Sequence, residues 1–217
     1  MELNLITVED FYSNVDEVRE FALSQPFDVK GNYPGQRTIS YANESIKETI
    51  GNILRPYSGE ITHFPMGQYD SGDGTTYEPD PEASEEERYE NYNGAFQYTT
   101  ATDRTWIHCD HWNSWAAVIY LTPDAPLTGG TGLYKHKSTG LYRTPLLPDG
   151  SINEDIMDGI WKEANDYTKW DLVDFVHNKY NRMVIYRGDM FHASLDYFGK
   201  DMFDGRLFQT FFFNTEY

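Results

Sequence analysis

The sequence predicts a mainly β protein of the α+β class, in which two N-terminal helices cover an antiparallel barrel or sandwich that a helical insertion interrupts. The main observation is that from residue 95 onward short β-branched and aromatic runs alternate with turns rich in Gly, Pro and Asp. A second observation is the helical spacing of apolar residues near the N-terminus. Aromatic residues make up 16% of the 217 residues, which predicts one domain with a substantial core.

Two helices are predicted in the N-terminal part. Within residues 7–25, apolar residues recur at helical spacing: Phe11, Val15, Val18, Phe21 and Ala22. Thr7 and Asp10 resemble a capping box, and Pro26 should stop this helix. A second helix is predicted from Asn43 to Leu54, ending before Pro56, and a short strand from Glu60 to Phe64. Residues 1–60 are therefore expected to supply supporting helices.

The barrel is expected to span residues 95–217 within a single domain of residues 1–217. Its candidate strands are residues 95–101, 105–110, 115–122, 130–136, 182–188, 190–197 and 206–214. Between two of these strands, residues 151–178 show a loose helical pattern and are predicted to form a helical insertion.

Charge and composition exclude several classes of protein. The formal net charge is −18, which argues against a nucleic-acid partner because such partners are held mostly by Lys and Arg. The longest strongly apolar run, Trp115 to Leu121, is too short to cross a bilayer, and no signal segment is recognisable, so we expect a soluble cytoplasmic protein with no membrane partner. The single cysteine, Cys109, excludes an intrachain disulfide. Residues 70–90 are densely acidic and are predicted to form a mobile loop, which could act as a lid.

A metal site is predicted from three residues on two candidate strands. His108 and Asp110 are two apart, so on a strand both side chains would point to the same face. His192 lies 82 residues beyond Asp110 (192 − 110) on an aromatic strand. Two imidazoles and one carboxylate suit a divalent metal, especially Fe(II), and leave positions open for other ligands. His111 has the opposite parity and is expected to lie outside this site.

A cation with a special role is predicted at the start of the last strand. Arg206 opens a run of phenylalanines, where burying a guanidinium without an anion would be costly. Its natural partner is a carboxylate bound through two hydrogen bonds. Lys200 is a rival, but it lies in a turn, whereas Arg206 would share one strand face with Phe208, Thr210 and Phe212.

With these residues in order along an apparent barrel, the sequence resembles the Fe(II)- and 2-oxoglutarate-dependent dioxygenases, over about residues 95–217. It looks similar to the prolyl-4-hydroxylase-like branch, which the VIYLT and GGTGLY segments also suggest. The resemblance implies a double-stranded β-helix, a jelly-roll or cupin-like barrel. It implies Fe(II) on His108, Asp110 and His192, with 2-oxoglutarate and O2 as co-substrates. It also implies that Arg206 binds the distal carboxylate of 2-oxoglutarate, and that Tyr98, ten residues before His108 (108 − 98), contacts the same molecule.

The implied activity is that of an oxidoreductase, a dioxygenase that hydroxylates an unactivated C–H bond and releases succinate and CO2. Its substrate would be a peptidyl, prolyl-like residue or a small amino-acid-like molecule. Two alternatives stay open on the residues alone. One is a cupin-type metal enzyme of other chemistry, in which His111 and His136 extend the ligand set. The other is a non-enzymatic jelly-roll module that binds carbohydrate through exposed Trp and Tyr side chains. The sequence leaves the oligomeric state undetermined.

Overall fold

A computed structural model describes residues 3–29, 31–66 and 92–216 of the chain. The chain is mainly β, with antiparallel sheets and a few helices. In chain order, the elements of the N-terminal part are β1 (Leu5–Val8), α1 (Val15–Ser24), β2 (Gln36–Arg37), α2 (Glu44–Ser58) and β3 (Glu60–His63). The C-terminal part comprises β4 (Phe96–Thr99), β5 (Trp115–Tyr120), β6 (Thr131–His136), α3 (Glu154–Lys162), a 3-10 turn (Tyr167–Lys169), β7 (Trp170–Val176), β8 (Met183–Arg187), β9 (His192–Ser194) and β10 (Arg206–Glu216).

The strands form one large and one small sheet. The large sheet has the order β1-β8-β5-β10-β4-β2, with β3 also paired to β10, and the small sheet has the order β7-β6-β9. The long strand β10 is central to the large sheet, where β5 and β4 flank it in antiparallel register. Residues from both sheets line one cavity, which therefore lies between them.

The outer face of the large sheet carries the main core. Alternate residues of β10, Leu207, Phe211 and Phe213, are fully buried there against Ile50 and Leu54 of α2. Residues of α1, including Ala22, belong to the same cluster. This packing confirms that the N-terminal helices cover the sheet. It also means that β10 is buried on both faces, since its other face lines the cavity.

The predicted beginning of the first helix is wrong. Thr7 lies in β1, where it pairs with Val184 of β8, and α1 begins only after Asn14. Three of the four residues 5–8 (LITV) are β-branched, and pairing with a buried strand outweighs the weak capping pattern. The helix ends at Ser24, as Pro26 predicted.

The second helix is longer than predicted. Asn43 caps it by accepting a hydrogen bond at 3.0 Å from the Ile46 N–H, but α2 continues through Pro56 to Ser58. Proline in the last turn removes only one helical hydrogen bond. The helix then ends at Gly59, whose φ of 77° favours glycine and whose N–H bonds to the Arg55 carbonyl.

The predicted helical insertion is only half helical. α3 forms as expected, but Trp170–Val176 is β7, which pairs with β6 over its length. The apolar spacing of WDLVDFV fits both the helical period and the strand period of two, and pairing with β6 decides in favour of the strand. The segment 105–110 also departs from its prediction, because it is no regular strand and joins the small sheet through one bridge, between His108 and His192.

Among the described helices, none is both long enough and apolar enough for a membrane crossing. The acidic segment predicted to form a loop or lid, residues 70–90, lies outside the described residues.

Candidate metal and carboxylate site

The cavity between the sheets holds three of the predicted site residues as one cluster. One ligand atom each from His108, Asp110 and His192 lies within 4.8 Å of the others, a grouping that could hold a metal ion. The two imidazole rings have centroids 4.4 Å apart, and His192 Nε2 lies 3.3 Å from Asp110 Oδ2. Asp110 and His192 are buried, and His108 is half-buried.

The backbone fixes the two histidines relative to each other. The His108 N–H donates to the His192 carbonyl at 3.0 Å, and the His192 N–H donates to the His108 carbonyl at 2.7 Å. Each ring also has its Nδ1 beside a main-chain carbonyl, Trp106 O at 3.0 Å for His108 and Met190 O at 2.9 Å for His192. Such contacts select the tautomer with hydrogen on Nδ1, so that each Nε2 offers its lone pair to the cluster.

Asp110 is positioned by a tight turn. Its N–H donates to the Gly188 carbonyl at 2.7 Å, and its carbonyl accepts from the Asn113 N–H at 2.9 Å. A Cβ atom added at Gly188 would lie 2.3 Å from the Asn113 carbonyl oxygen and 2.7 Å from that of Asp110. Only glycine therefore allows this approach between the end of β8 and the turn that carries the carboxylate.

The electrostatics of the cluster favour the protonation states in which its side chains can bind a metal. Burial, together with the neighbouring His192, lowers the pKa of His108 to about 4. Burial alone would raise the pKa of Asp110. The charge of His192 and its hydrogen bond to the carboxylate have the opposite effect, and the pKa of Asp110 is lowered overall. At neutral pH, His108 is thus neutral and Asp110 is ionised, the forms that ligate metals.

Arg206 lies in the same cavity and is 1% exposed. Its Nε donates to the Gly129 carbonyl at 3.2 Å, and its guanidinium carbon lies 4.2 Å from the ring centroid of Phe208. Its Nη1 is buried and has no hydrogen-bond partner among the described residues. A buried guanidinium nitrogen without a hydrogen-bond partner needs an acceptor, and a ligand in the cavity would provide one.

The predicted strand face of Arg206 is confirmed, since Phe208, Thr210 and Phe212 line the cavity with it. The rival cation, Lys200, is exposed and does not line the cavity. His111 is also exposed, with its Nδ1 3.6 Å from Cys109 Sγ, and it lies outside the three-residue cluster. His136 bonds to Glu163 at 2.7 Å, away from the cavity.

Tyr98, which was predicted to contact the co-substrate, is not among the residues that line the cavity. Tyr98 packs edge-on against Phe27 at a centroid distance of 5.0 Å, with the core on the outer face of the sheet. Its neighbour Gln97 lines the cavity instead, because successive residues of a strand point to opposite faces. The distance of Tyr98 from His108 along the chain is compatible with a site residue, but its position in β4 turns its side chain away from the cavity.

Two further cavity residues were missed by the sequence reasoning. Arg37, in β2, is 6% exposed and donates to Gln97 Oε1 from Nε at 2.9 Å and Nη2 at 2.6 Å. It lies in the turn-rich stretch GNYPGQRTISY, where no strand was predicted. Tyr186 of β8 packs on His192 at a centroid distance of 4.7 Å. Alternation along RMVIYRG could have placed Tyr186 on the cavity face with Val184.

The fold defined by these two sheets is similar to that of HygX, a protein solved with nickel and 2-oxoglutarate bound. The structure is similar to HygX from Streptomyces hygroscopicus with nickel, 2-oxoglutarate and hygromycin B bound, at a TM-score of 0.51 and 11% identity, covering 95% of this chain and 81% of that one. It is also similar to a prolyl hydroxylase from Trichoplax adhaerens in complex with a hypoxia inducible factor peptide fragment, at a TM-score of 0.47 and 10% identity, covering 97% and 83% of the two chains. A Pseudomonas putida prolyl-4-hydroxylase gives a TM-score of 0.42 and 13% identity, covering 99% and 93%. Similarity at these levels shows a common fold with HygX and does not establish the prolyl-4-hydroxylase-like branch.

The family model of DUF6445, a family of unknown function, matches residues 97–213, which is more than half of the chain. The protein therefore belongs to this family. A comparison with curated proteins finds no match.

Proposed function

We propose that this protein is an Fe(II)- and 2-oxoglutarate-dependent dioxygenase that hydroxylates a C–H bond of a small or peptidyl substrate. The observation that carries the proposal is the joint placement of the His108–Asp110–His192 cluster and the buried Arg206 in one cavity between two antiparallel sheets. A cluster of metal ligands by itself is compatible with many metal enzymes, and a buried arginine by itself with many protein cores. Together they would provide a metal site and a carboxylate site within one cavity.

The donor set fits a divalent first-row metal. Two imidazole nitrogens and one carboxylate are the ligands of the facial iron sites in non-heme oxygenases, which keep positions open for other ligands. The main-chain contacts of both Nδ1 atoms leave the Nε2 atoms for the metal. We assign His108, Asp110 and His192 as these ligands, with His111 excluded.

The surroundings of Arg206 fit a co-substrate carboxylate. Its Nη1, for which the described part of the chain supplies no partner, would donate to that carboxylate, and Nε stays on Gly129 O. Tyr120 lies beside the guanidinium, 5.4 Å from its ring centroid, and its hydroxyl is 2.7 Å from Thr131 Oγ1. Thr131 also lines the cavity and offers a hydroxyl to the same ligand. The distal carboxylate of 2-oxoglutarate is the acceptor that this end of the cavity suits.

The proposal includes the fold. We infer that the two sheets are the halves of a double-stranded β-helix, and that residues 1–217 act as a single oxygenase domain. Support comes from the cavity between the sheets and from the structural similarity to HygX. In this arrangement the N-terminal helices stiffen the large sheet from outside, so that β10 holds Arg206 in a fixed position.

Iron in this site would supply the oxidative chemistry, in which 2-oxoglutarate and O2 yield succinate, CO2 and a hydroxylated substrate. The residues of the chain position the metal and the co-substrate and shield them from water. His108, Asp110 and His192 hold the metal on one side, and Arg206 orients the co-substrate. Val118, Phe208 and Phe212 provide apolar walls that exclude water from the reacting centre.

The alternative functions receive no support from the geometry. A cupin-type site with additional histidines would need His111 or His136, and neither joins the cluster. A carbohydrate-binding module without catalysis would not explain a buried guanidinium nitrogen beside a cluster of metal ligands.

The proposal is tested by measuring succinate formed from 2-oxoglutarate in the presence of Fe(II), ascorbate and O2, with a panel of amino acids and peptides. Metal content is measured separately on the same protein by mass spectrometry. We expect one metal per chain and iron-dependent succinate formation. His192→Ala should lose both, while His111→Ala, the matched histidine control, should keep both. Failure of the wild-type protein to bind a divalent metal would refute the proposal without any assumption about the substrate.

A further inference from the structure

We propose that Asn178 is a positioning residue that fixes the guanidinium of Arg206 through the Gly129 carbonyl, and that it thereby makes the site selective for the length of the oxo-diacid that Arg206 binds. The inference rests on the proposed function and adds a specificity-determining residue to it. It begins from one carbonyl oxygen that serves two buried side chains. Gly129 O accepts from Arg206 Nε at 3.2 Å and from Asn178 Nδ2 at 3.2 Å.

The Gly129 carbonyl is the contact that gives the guanidinium its direction. The guanidinium carbon lies 4.2 Å from the ring centroid of Phe208 and 5.4 Å from that of Tyr120. Such ring contacts hold a cation in place but impose little direction on its N–H groups. A hydrogen bond is directional, so the bond from Nε to Gly129 O determines which edge of the Arg206 guanidinium is left for a ligand.

Asn178 holds the segment that carries this carbonyl. It lies between β7 and β8 and is 0% exposed. Its backbone N–H donates to the Leu127 carbonyl at 3.3 Å, so its main chain and its side chain both bind the same segment. A Cβ atom added at Gly130 would lie 1.9 Å from the Val176 carbonyl oxygen and 3.0 Å from the Asn178 nitrogen. This close approach, which glycine allows, brings the Asn178 amide within reach of Gly129 O.

The hydrogen bonding of the Asn178 amide explains why an asparagine occupies this position. Gly129 O can only accept, so the amide nitrogen must face it. The other amide atom, Oδ1, is buried and has no hydrogen-bond partner in the described part of the chain. Leaving a buried acceptor unpaired is costly, and a leucine of similar size would avoid that cost. The hydrogen bond that Asn178 donates to Gly129 is therefore the property that accounts for it.

A fixed guanidinium makes its distance from the metal cluster a property of the protein. The backbone bonds between His108 and His192 fix the cluster. Gly129 and Asn178 fix Arg206. A diacid that binds both must match the distance between them, and one extra methylene group would force one of its ends out of position. We expect 2-oxoglutarate to be preferred to 2-oxoadipate, which is one methylene longer, and we expect this preference to depend on Asn178.

The first arm of the test measures the positioning on metal-free protein without co-substrate. The exchange of the Arg206 Nε hydrogen with water is followed by 15N NMR, and its resonance is identified by its absence from the Arg206→Gln spectrum. Asn178→Leu removes the amide donor at similar volume and should speed this exchange about tenfold. The control, Tyr12→Phe, removes a hydrogen bond to Gln209, which does not line the cavity, and should leave the exchange unchanged. Equal exchange rates in wild-type and Asn178→Leu protein would overturn the inference.

In the second arm, Ni(II)-loaded proteins are titrated calorimetrically with 2-oxoglutarate and 2-oxoadipate. Wild-type protein should bind 2-oxoglutarate at least tenfold more tightly than 2-oxoadipate. Asn178→Leu should weaken 2-oxoglutarate binding about tenfold and 2-oxoadipate binding much less, whereas a general loss of stability would weaken both alike. Tyr12→Phe should keep the wild-type preference, and all three proteins should bind Ni(II) equally.

The outcomes separate this inference from the proposed function. Equal binding of the two diacids by wild-type protein would overturn this inference alone, and it would do so even if Asn178→Leu failed to fold. A wild-type preference that Asn178→Leu retains would overturn it as well. Wild-type protein that binds Ni(II) but neither diacid would instead refute the proposed co-substrate, and the selectivity with it.

Discussion

The buried Arg206 allows a quantitative prediction. Replacing it by alanine should weaken 2-oxoglutarate binding, because the distal carboxylate would lose its charged partner inside an apolar cavity. The structure offers that carboxylate the Nη1 group, which carries two N–H donors and has no partner among the described residues, whereas Nε is bonded to the Gly129 carbonyl. Two charge-assisted hydrogen bonds of about 1.5–3 kcal/mol each give about 3–6 kcal/mol. At about 1.4 kcal/mol per tenfold change, the loss is at least two orders of magnitude.

The assay is calorimetric titration of Ni(II)-loaded protein with 2-oxoglutarate, in parallel with titration of the metal-free protein with Ni(II). Arg206→Ala should show the loss in the first titration and little change in the second, since the guanidinium is not a metal ligand. Arg206→Lys should recover only part of the affinity, because it keeps the charge and loses the planar fork.

Lys200→Ala serves as the control, because Lys200 is an exposed cation close in sequence. It should bind 2-oxoglutarate as the wild type does. The reasoning would be refuted if Arg206→Ala retained wild-type affinity, or if Lys200→Ala lost it.

Three further predictions concern the site and the core. His111→Ala should retain one metal per chain by mass spectrometry, because His111 lies outside the ligand cluster; metal loss would show that the ligand set is wrong. Phe211→Ala should lower the free energy of unfolding by about 3–5 kcal/mol in urea titrations, whereas Phe203→Ala, 62% exposed, should change it by less than about 0.5 kcal/mol. Gly188→Ala should cost about 1–3 kcal/mol of stability and reduce Ni(II) affinity at least tenfold by shifting the turn that carries Asp110. An unchanged Ni(II) isotherm for this variant would contradict the positioning role of Gly188.

The sequence was sufficient to predict the parts of the site that depend on strand alternation. The shared face of Arg206, Phe208, Thr210 and Phe212 follows from a period of two, and β10 is regular over that stretch. The convergence of His108 and Asp110 was also predicted, although the segment is an irregular extension held by one bridge.

Other parts could not be predicted because distant pairing decides them. Arg37 lies in a two-residue strand that exists only through its pairing with β4, and its neighbours in sequence signal a turn. Trp170–Val176 fits helical spacing but pairs with β6. For Tyr98, distance along the chain was used where strand parity was needed, and the parity of β4 becomes known only from its pairing with β10.

The reciprocal hydrogen bonds between His108 and His192 have a consequence for how metal binding and folding are linked. Because these bonds belong to the backbone, the two imidazoles are brought together when the chain folds, and a metal ion meets a chelate that is already assembled. The entropic cost of gathering the ligands is then part of the folding free energy and no longer reduces the binding free energy. It follows that chelating agents should strip the metal without unfolding the protein. Substitutions that loosen this backbone pairing should weaken metal binding even when all three ligand side chains are intact.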